Sequence, residues 1–289
     1  MSGKIVMVTG ATSGIGLATV EGLARQGAHV ILVARNPGKA EQVLAGLRAS
    51  LPAETGASFD VLHADLSLLA DVRALAAEFY ARYDRLDVLV NNAGAMFPRR
   101  RVTGEGIEMT WALDYLSPFL LTHLLLGRLE AAAAPGAPAR VVNVSSAMQA
   151  RGKLAFDDLQ GARHYSGMAA YAQAKLALIM FTYELARRVQ AESVTVNALH
   201  PGLVASNIYA NAGRMAKLVG LVMPLFSLTP AQGAETSIYL ASSPEVQGVT
   251  GEYFDKKRPV RSSQASYNVD AARRLWELSE ELTGLRVAV

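Results

Sequence analysis

An apolar run, Lys4-Ile-Val-Met-Val-Thr, passes directly into Gly10-Ala-Thr-Ser-Gly-Ile-Gly, and a helical pattern through Leu17, Val20, Leu23 and Ala24 follows, closing at Gly27. A short buried-type strand, a glycine turn and a helix leave few folds open. Strands of this kind, with helices between them, bury both faces as a covered parallel sheet. The turn is also chemical, because backbone N–H groups at a helix N-terminus can hold a pyrophosphate. Gly10 permits the tight turn, Gly14 lets a phosphate approach the backbone, and Gly16 lets helix pack closely on strand. Thr12, Ser13 and Ile15 complete the expected cradle. The spacing is G-x-x-x-G-x-G, not the commoner G-x-G-x-x-G. No Gly-Lys-Ser/Thr follows, which argues against a P-loop nucleotidase.

Strand-like and helix-like segments then alternate to about residue 199, with no repeat and no long linker. With 289 residues, 51% of them apolar, the chain can bury one large core. The expectation is one doubly wound (Rossmann) α/β domain over 1–289, a parallel sheet of about seven strands ordered 3-2-1-4-5-6-7 with helices on both faces. The second strand, His29-Val-Ile-Leu-Val-Ala, ends at Arg35, near where an acidic residue would read a ribose 2′-hydroxyl. An arginine there pairs with a 2′-phosphate, so NADP(H) is expected ahead of NAD(H). A solvated strand-end arginine is the plainer alternative.

Tyr171 and Lys175 stand four apart in Met168-Ala-Ala-Tyr-Ala-Gln-Ala-Lys-Leu-Ala, a run of helix formers, and so share one helix face. A tyrosine with an unperturbed pKa of about 10 is a poor acid–base group at neutral pH. A neighbouring ammonium favours the phenolate, and reaching about 7 takes roughly 4 kcal/mol of differential stabilisation. Alone, Tyr-x-x-x-Lys is a common surface spacing.

Thr9-Gly-x-x-x-Gly-x-Gly, Asn91-Asn-Ala-Gly, Ser145-Ser146, Tyr171-x-x-x-Lys175 and His200-Pro-Gly, in that order along the chain, resemble the short-chain dehydrogenase/reductase superfamily. Phe119-Leu-Leu-Thr, Phe156-Asp-Asp-Leu, Tyr183-Glu-Leu-Ala-Arg and Arg274-Leu-Trp-Glu-Leu-Ser make its retinol-dehydrogenase-like branch the nearest resemblance. The resemblance implies that Tyr171 is the general acid or base and that Lys175 lowers its pKa and bonds the nicotinamide ribose. It implies that Ser146 holds the substrate oxygen, although spacing alone does not separate Ser145 from Ser146. It assigns Asp65 and Leu66 to the adenine, Asn91, Ala93 and Gly94 to the adenine-ribose side, and Pro201, Gly202, Val204 and Ser206 to the nicotinamide side. The chain departs from the family's pattern twice. Ser146 and Tyr171 are farther apart than in most of the superfamily, an insertion found also in this branch. The family's relay asparagine aligns with Asp114, which puts the usual proton relay in doubt.

The implied activity is hydride transfer between NADP(H) and an alcohol/carbonyl pair. A dinucleotide-sensing protein without turnover and an epimerase on the same scaffold are the rivals. An intact Ser146, Tyr171 and Lys175 weighs against a sensor, and the glycine spacing weighs against an epimerase. Residues 207–228, with Met215, Leu218, Leu221, Val222, Leu225 and Phe226, read either as a helix on the core or as an apolar lid suited to a hydrophobic substrate. Their amphipathic character would also support weak membrane contact. A C-terminal helical extension is expected around 268–284.

Zero cysteines exclude disulfides and thiolate metal sites, and five histidines show no ligand spacing, so no metal is expected. No run is long and apolar enough for a signal or a membrane span, and cytoplasmic is the default expectation. A net charge of +3 is modest, and Arg99-Arg-Arg and Lys256-Lys-Arg read as solvated loops, with no nucleic-acid partner expected. The choice between monomer and homo-oligomer stays open.

Overall fold

Val6 and Val8 face one side of the first strand and Met7 the other, and all three are fully buried. That double burial is why the strand reads as a continuous apolar run. A computed structural model describes residues 1–204 and 228–285. The first half runs β1 (Ile5–Thr9), α1 (Gly14–Ala24), β2 (His29–Ala34), α2 (Pro37–Ser50), β3 (Ser58–His63), α3 (Leu69–Arg82) and β4 (Val88–Asn91). A short helix, α4 (Met109–Trp111), passes through a π-turn (Ala112–Leu116) into α5 (Ser117–Glu130). Then follow β5 (Ala139–Val144), a 3-10 turn (Ala147–Arg151), α6 (Gly167–Arg188), β6 (Val194–His200), α7 (Pro230–Ser242), β7 (Tyr253–Asp255), β8 (Arg258–Pro259) and α8 (Val269–Thr283).

The sheet order is β3-β2-β1-β4-β5-β6-β7-β8, the expected parallel order with an eighth strand added at the edge. β8 pairs antiparallel with β7 through a two-residue hairpin loop, Lys256-Lys257, both at positive φ. Such loops favour Asn-Gly, so the sequence carries no turn signal there.

Period-2 alternation distributes the core to two faces. Met7, Ile31 and Leu89 pack with α3, α5, α6 and α8, whereas Val8, Leu32 and Val90 pack with α1, α2 and α7. Local chemistry fixes the ends. Asn36 accepts from the Lys39 N–H with Pro37 at the first helical position of α2, and Thr229 forms a reciprocal capping box with Gln232 at α7. Ser206 and nearly all of the 207–228 segment lie outside the described residues; Leu228 pairs in parallel with Val204. No helix among the described residues is long and apolar enough to cross a membrane.

Candidate active site

The carboxyl ends of β1, β4, β5 and β6 converge on a cleft of about 240 Å³, the position at which an open α/β sheet binds ligands. Its floor is the glycine turn. Gly10 has φ +64°, and a Cβ on Gly16 would lie 2.2 Å from the Gly10 carbonyl oxygen, so neither position accepts a side chain without a shift. Gly14, at φ +55°, faces open space. Ser13 begins α1 without a side-chain cap, and the first turn carries no acidic residue. The donors at this helix start are therefore presented to a ligand, with no carboxylate to repel an anion. Thr12, Ser13, Ile15, Ala93, Gly94 and Pro201 complete the rim. These features fit a pyrophosphate-bearing cofactor: an uncapped helix start, backbone approach at Gly14 and a cradle that a Cβ there would enter.

Asn92, rather than its neighbour, holds the strand ends together. Its side chain donates to the Thr9 carbonyl at 2.9 Å, and the Thr9 hydroxyl accepts from the N–H groups of Asn92 and Ala93. Asn91 points the other way and donates to Thr122 and Asn143 at 3.0 and 2.9 Å, behind the cleft. Arg35 and Asp65 stand at the ends of β2 and β3, with their side chains 3.4 Å apart. Burial works against ionising Asp65, but donors from Ser67 and the Arg35 charge outweigh it and hold the carboxyl below its usual range. Leu66 is buried beside it.

Tyr171 and Lys175 project from one face of α6 into the cleft, with Nζ 5.5 Å from the centre of the Tyr171 ring. Lys175 is 3% exposed; Nζ donates to the Val144 carbonyl at 3.2 Å and lies 3.3 Å from Asp114 Oδ2. Asp114 is fully buried, and its other oxygen accepts from the Ala95 N–H at 2.9 Å. Burial pushes the Asp114 carboxyl above its usual range, against the opposing pull of Lys175 and the Ala95 donor. Gly94 makes room for the pair, since a Cβ there would meet Asp114 Oδ2 and Lys175 Nζ at 3.0 Å each.

Asp114 reaches this position because its helix widens. Pro118 has no N–H to give the carbonyl four residues back, and the Ser117 N–H donates to Ala112, five back. Pro118 is the residue in the sequence that marks this widened turn.

The two serines separate. Ser145 is buried, and its hydroxyl donates to the Lys175 carbonyl at 2.9 Å. The Ser146 hydroxyl accepts from the Met148 N–H at 3.2 Å and lines a second, apolar pocket of about 390 Å³. Tyr171 borders both spaces. Gly202 and Val204 lie in this second wall with Met96, Met148, Met168 and Leu203. The three methionines come from separate segments that only the tertiary fold joins.

The short chain dehydrogenase family model matches residues 4–217. Human retinol dehydrogenase 14 is 43% identical over 99% of this chain and 88% of its own length, and human polyprenol dehydrogenase 42% over 98% and 86%. A crystal structure from Mycobacterium paratuberculosis superposes with a TM-score of 0.78 at 31% identity, covering 100% of this chain and 96% of that one. Pseudomonas aeruginosa RhlG, in a structure described as an NADP active-site complex, gives 0.69 at 28% identity, over 88% and 94%. A glycine cradle at the head of a parallel sheet, a Tyr-Lys pair beside it and these relatives converge: the chain belongs to the short-chain dehydrogenase family, in its retinol-dehydrogenase-like branch of oxidoreductases.

Proposed function

We propose that the protein moves a hydride between NADP(H) and a hydrophobic alcohol/carbonyl pair, with Ser146, Tyr171 and Lys175 handling the substrate oxygen and its proton. The observation that carries this reading is the position of Tyr171 on the wall shared by the glycine-lined cleft and the apolar pocket. A donor there reaches a substrate oxygen on one side while facing a cofactor on the other.

A nicotinamide dinucleotide, when bound, supplies the hydride. The chain's own groups do the rest. The first-turn N–H groups of α1 would hold its pyrophosphate, and Arg35 would turn from Asp65 to a 2′-phosphate. Lys175 keeps two N–H directions on Val144 and Asp114, which leaves its third for the ribose. In reduction, Tyr171 gives its phenolic proton to the substrate oxygen; in oxidation, it takes that proton back. Ser146, already oriented by the Met148 N–H, donates to the same oxygen as negative charge develops. Ser145 ties the end of β5 to α6 through Lys175's carbonyl.

The apolar lining supports a hydrophobic substrate, with Ser146 and Tyr171 as its convergent polar groups. The relatives' names point the same way, since retinol and polyprenols are long apolar alcohols. Oxidation of NADPH and NADH, followed with aliphatic, aromatic, steroid, retinoid and isoprenoid carbonyls, tests the reading. Turnover with NADPH and long apolar members is expected. Stoichiometric NADPH binding without turnover of any member would replace this reading with the sensor.

A further inference from the structure

We propose that the substrate is elongated and ends in an anion, held by Arg151 and Lys153 in a separate pocket beside the catalytic one. This inference rests on the reading of Tyr171 and its apolar pocket given above. The stretch between Ser146 and α6 lines a further cavity of about 470 Å³, a groove open to solvent. The N-terminal turns of α6 divide the two spaces. Met168 and Tyr171 face the catalytic pocket, while Ala169, Ala170 and Gln173 face the other. Arg151 lines both.

The walls of this cavity are fixed by hydrogen bonds. Gln173 accepts from the Ala155 N–H at 3.0 Å and donates to the Leu159 carbonyl at 2.8 Å. The Tyr165 hydroxyl reaches the Phe97 carbonyl at 2.8 Å and Glu108 at 3.1 Å. Both carboxylates in the lining are already engaged. Asp157 pairs with the Arg163 guanidinium at 3.0 Å, and Asp158 accepts from the N–H groups of Ala162, Arg163 and His164. Among the described residues, no carboxylate pairs with Arg151 or Lys153. Arg151 and Lys153, both exposed, therefore offer this groove a guanidinium fork and an ammonium that no carboxylate pairs directly. A terminal carboxylate or phosphate monoester is the chemistry that such a pair recognises. With the reacting carbon at Tyr171 and the apolar body along Met148 and Met168, the charged end passes Arg151 into this cavity.

The test uses the full chain with NADPH and matched substrates: dodecanal, 12-oxododecanoate, and dodecanal carrying a 12-phosphate. The readout is the ratio of kcat/KM for each anionic aldehyde to that for the neutral one, so a general loss of activity cancels. A preference of about tenfold for an anionic form is expected, shrinking with added salt. Arg151→Gln should abolish that preference and Lys153→Gln should reduce it, and the two anionic arms identify which anion fits. Calorimetric titration of the NADPH-loaded protein with decanoate and with 1-decanol gives a readout independent of turnover, and tighter decanoate binding that Arg151→Gln removes is expected. A neutral aldehyde turned over as well as both anionic ones, or a preference that survives Arg151→Gln, overturns the proposal. Arg151-dependent decanoate binding with no aldehyde turned over would leave the anion pocket standing and reject the reading of Tyr171. Absence of both would reject the two together.

Discussion

Asp114 Oδ2 lies 3.3 Å from Lys175 Nζ, with both side chains shut away from solvent. An anion at that distance offsets part of the lysine's charge as Tyr171 experiences it, so the phenol's pKa should sit higher than with a neutral amide at position 114. Asp114→Asn is therefore expected to move the pH at which oxidation reaches its optimum downward, by about one unit. Profiles of kcat/KM against pH for both forms check this, because they report the free enzyme's acid and base. Superimposable profiles would place Asp114 outside the proton relay. Asp114→Ala should also be less stable by about 3–5 kcal/mol, since it strands a buried ammonium.

Tyr171→Phe should abolish turnover while leaving NADPH affinity within a few fold, because it removes only the proposed proton donor. Lys175→Ala should damage both if Lys175 serves ribose and phenolate together. Fluorescence titration of NADPH beside steady-state rates separates the two variants. NADPH affinity lost along with the rate in Tyr171→Phe would make the residue structural.

Arg35 is held at 3.4 Å by Asp65 yet has a side chain 75% exposed, so it is free to turn to a phosphate. Arg35→Ala should weaken NADPH binding roughly 10- to 100-fold, the scale of a charged hydrogen bond, with little effect on NADH. Parallel titrations decide it, and equal losses for both cofactors would mean that Arg35 reads no phosphate.

What the sequence revealed was local or periodic. The glycine turn works through backbone conformation that three glycines announce, and Tyr171 and Lys175 share a face by helix geometry alone. The parallel order follows from alternating elements and right-handed crossovers. What stayed hidden depended on register or on distant packing. Asn91 and Asn92 differ by one position, yet one faces Asn143 and the other Thr9, because a strand flips sides at each residue. The Asp114–Lys175 contact needed the π-turn that Pro118 imposes, and the methionine wall needed three segments brought together by the fold.

Gly14 and Gly16 should respond differently to one methyl group. At Gly16 the new Cβ would meet backbone at 2.2 Å, so Gly16→Ala should displace the turn and lower the melting temperature. At Gly14 the Cβ meets no protein atom within 4 Å, leaving a backbone penalty of roughly 1–2 kcal/mol for the positive φ. Gly14→Ala should therefore fold with a modest loss and bind NADPH poorly, since the methyl occupies the approach to the phosphates. Unchanged NADPH affinity in a folded Gly14→Ala protein would remove the phosphate from that position.

His123 sits in an aromatic box that docks α8, 4.3 Å from the Phe119 ring and 4.7 Å from the Trp276 ring between centroids. Trp276 is 5% exposed, and Trp276→Ala should cost about 3–5 kcal/mol by emptying the box. Burial lowers the His123 pKa below the ordinary imidazole value; the Phe119 carbonyl bonded to Nδ1 opposes that shift, and the Arg188 charge adds to it. The unfolded chain then binds more protons than the folded one just below a pH of about 6.5. Its contribution is fully present above that pH and is lost as the pH falls toward the depressed folded value. His200, also lowered chiefly by burial with Asp255 opposing, acts in the same direction. Melting temperatures between about pH 8 and 5 should therefore fall on the acid side, and His123→Phe should flatten the fall without removing it, because His200 remains. An equally steep fall in His123→Phe would show that this ring is protonated alike in both states.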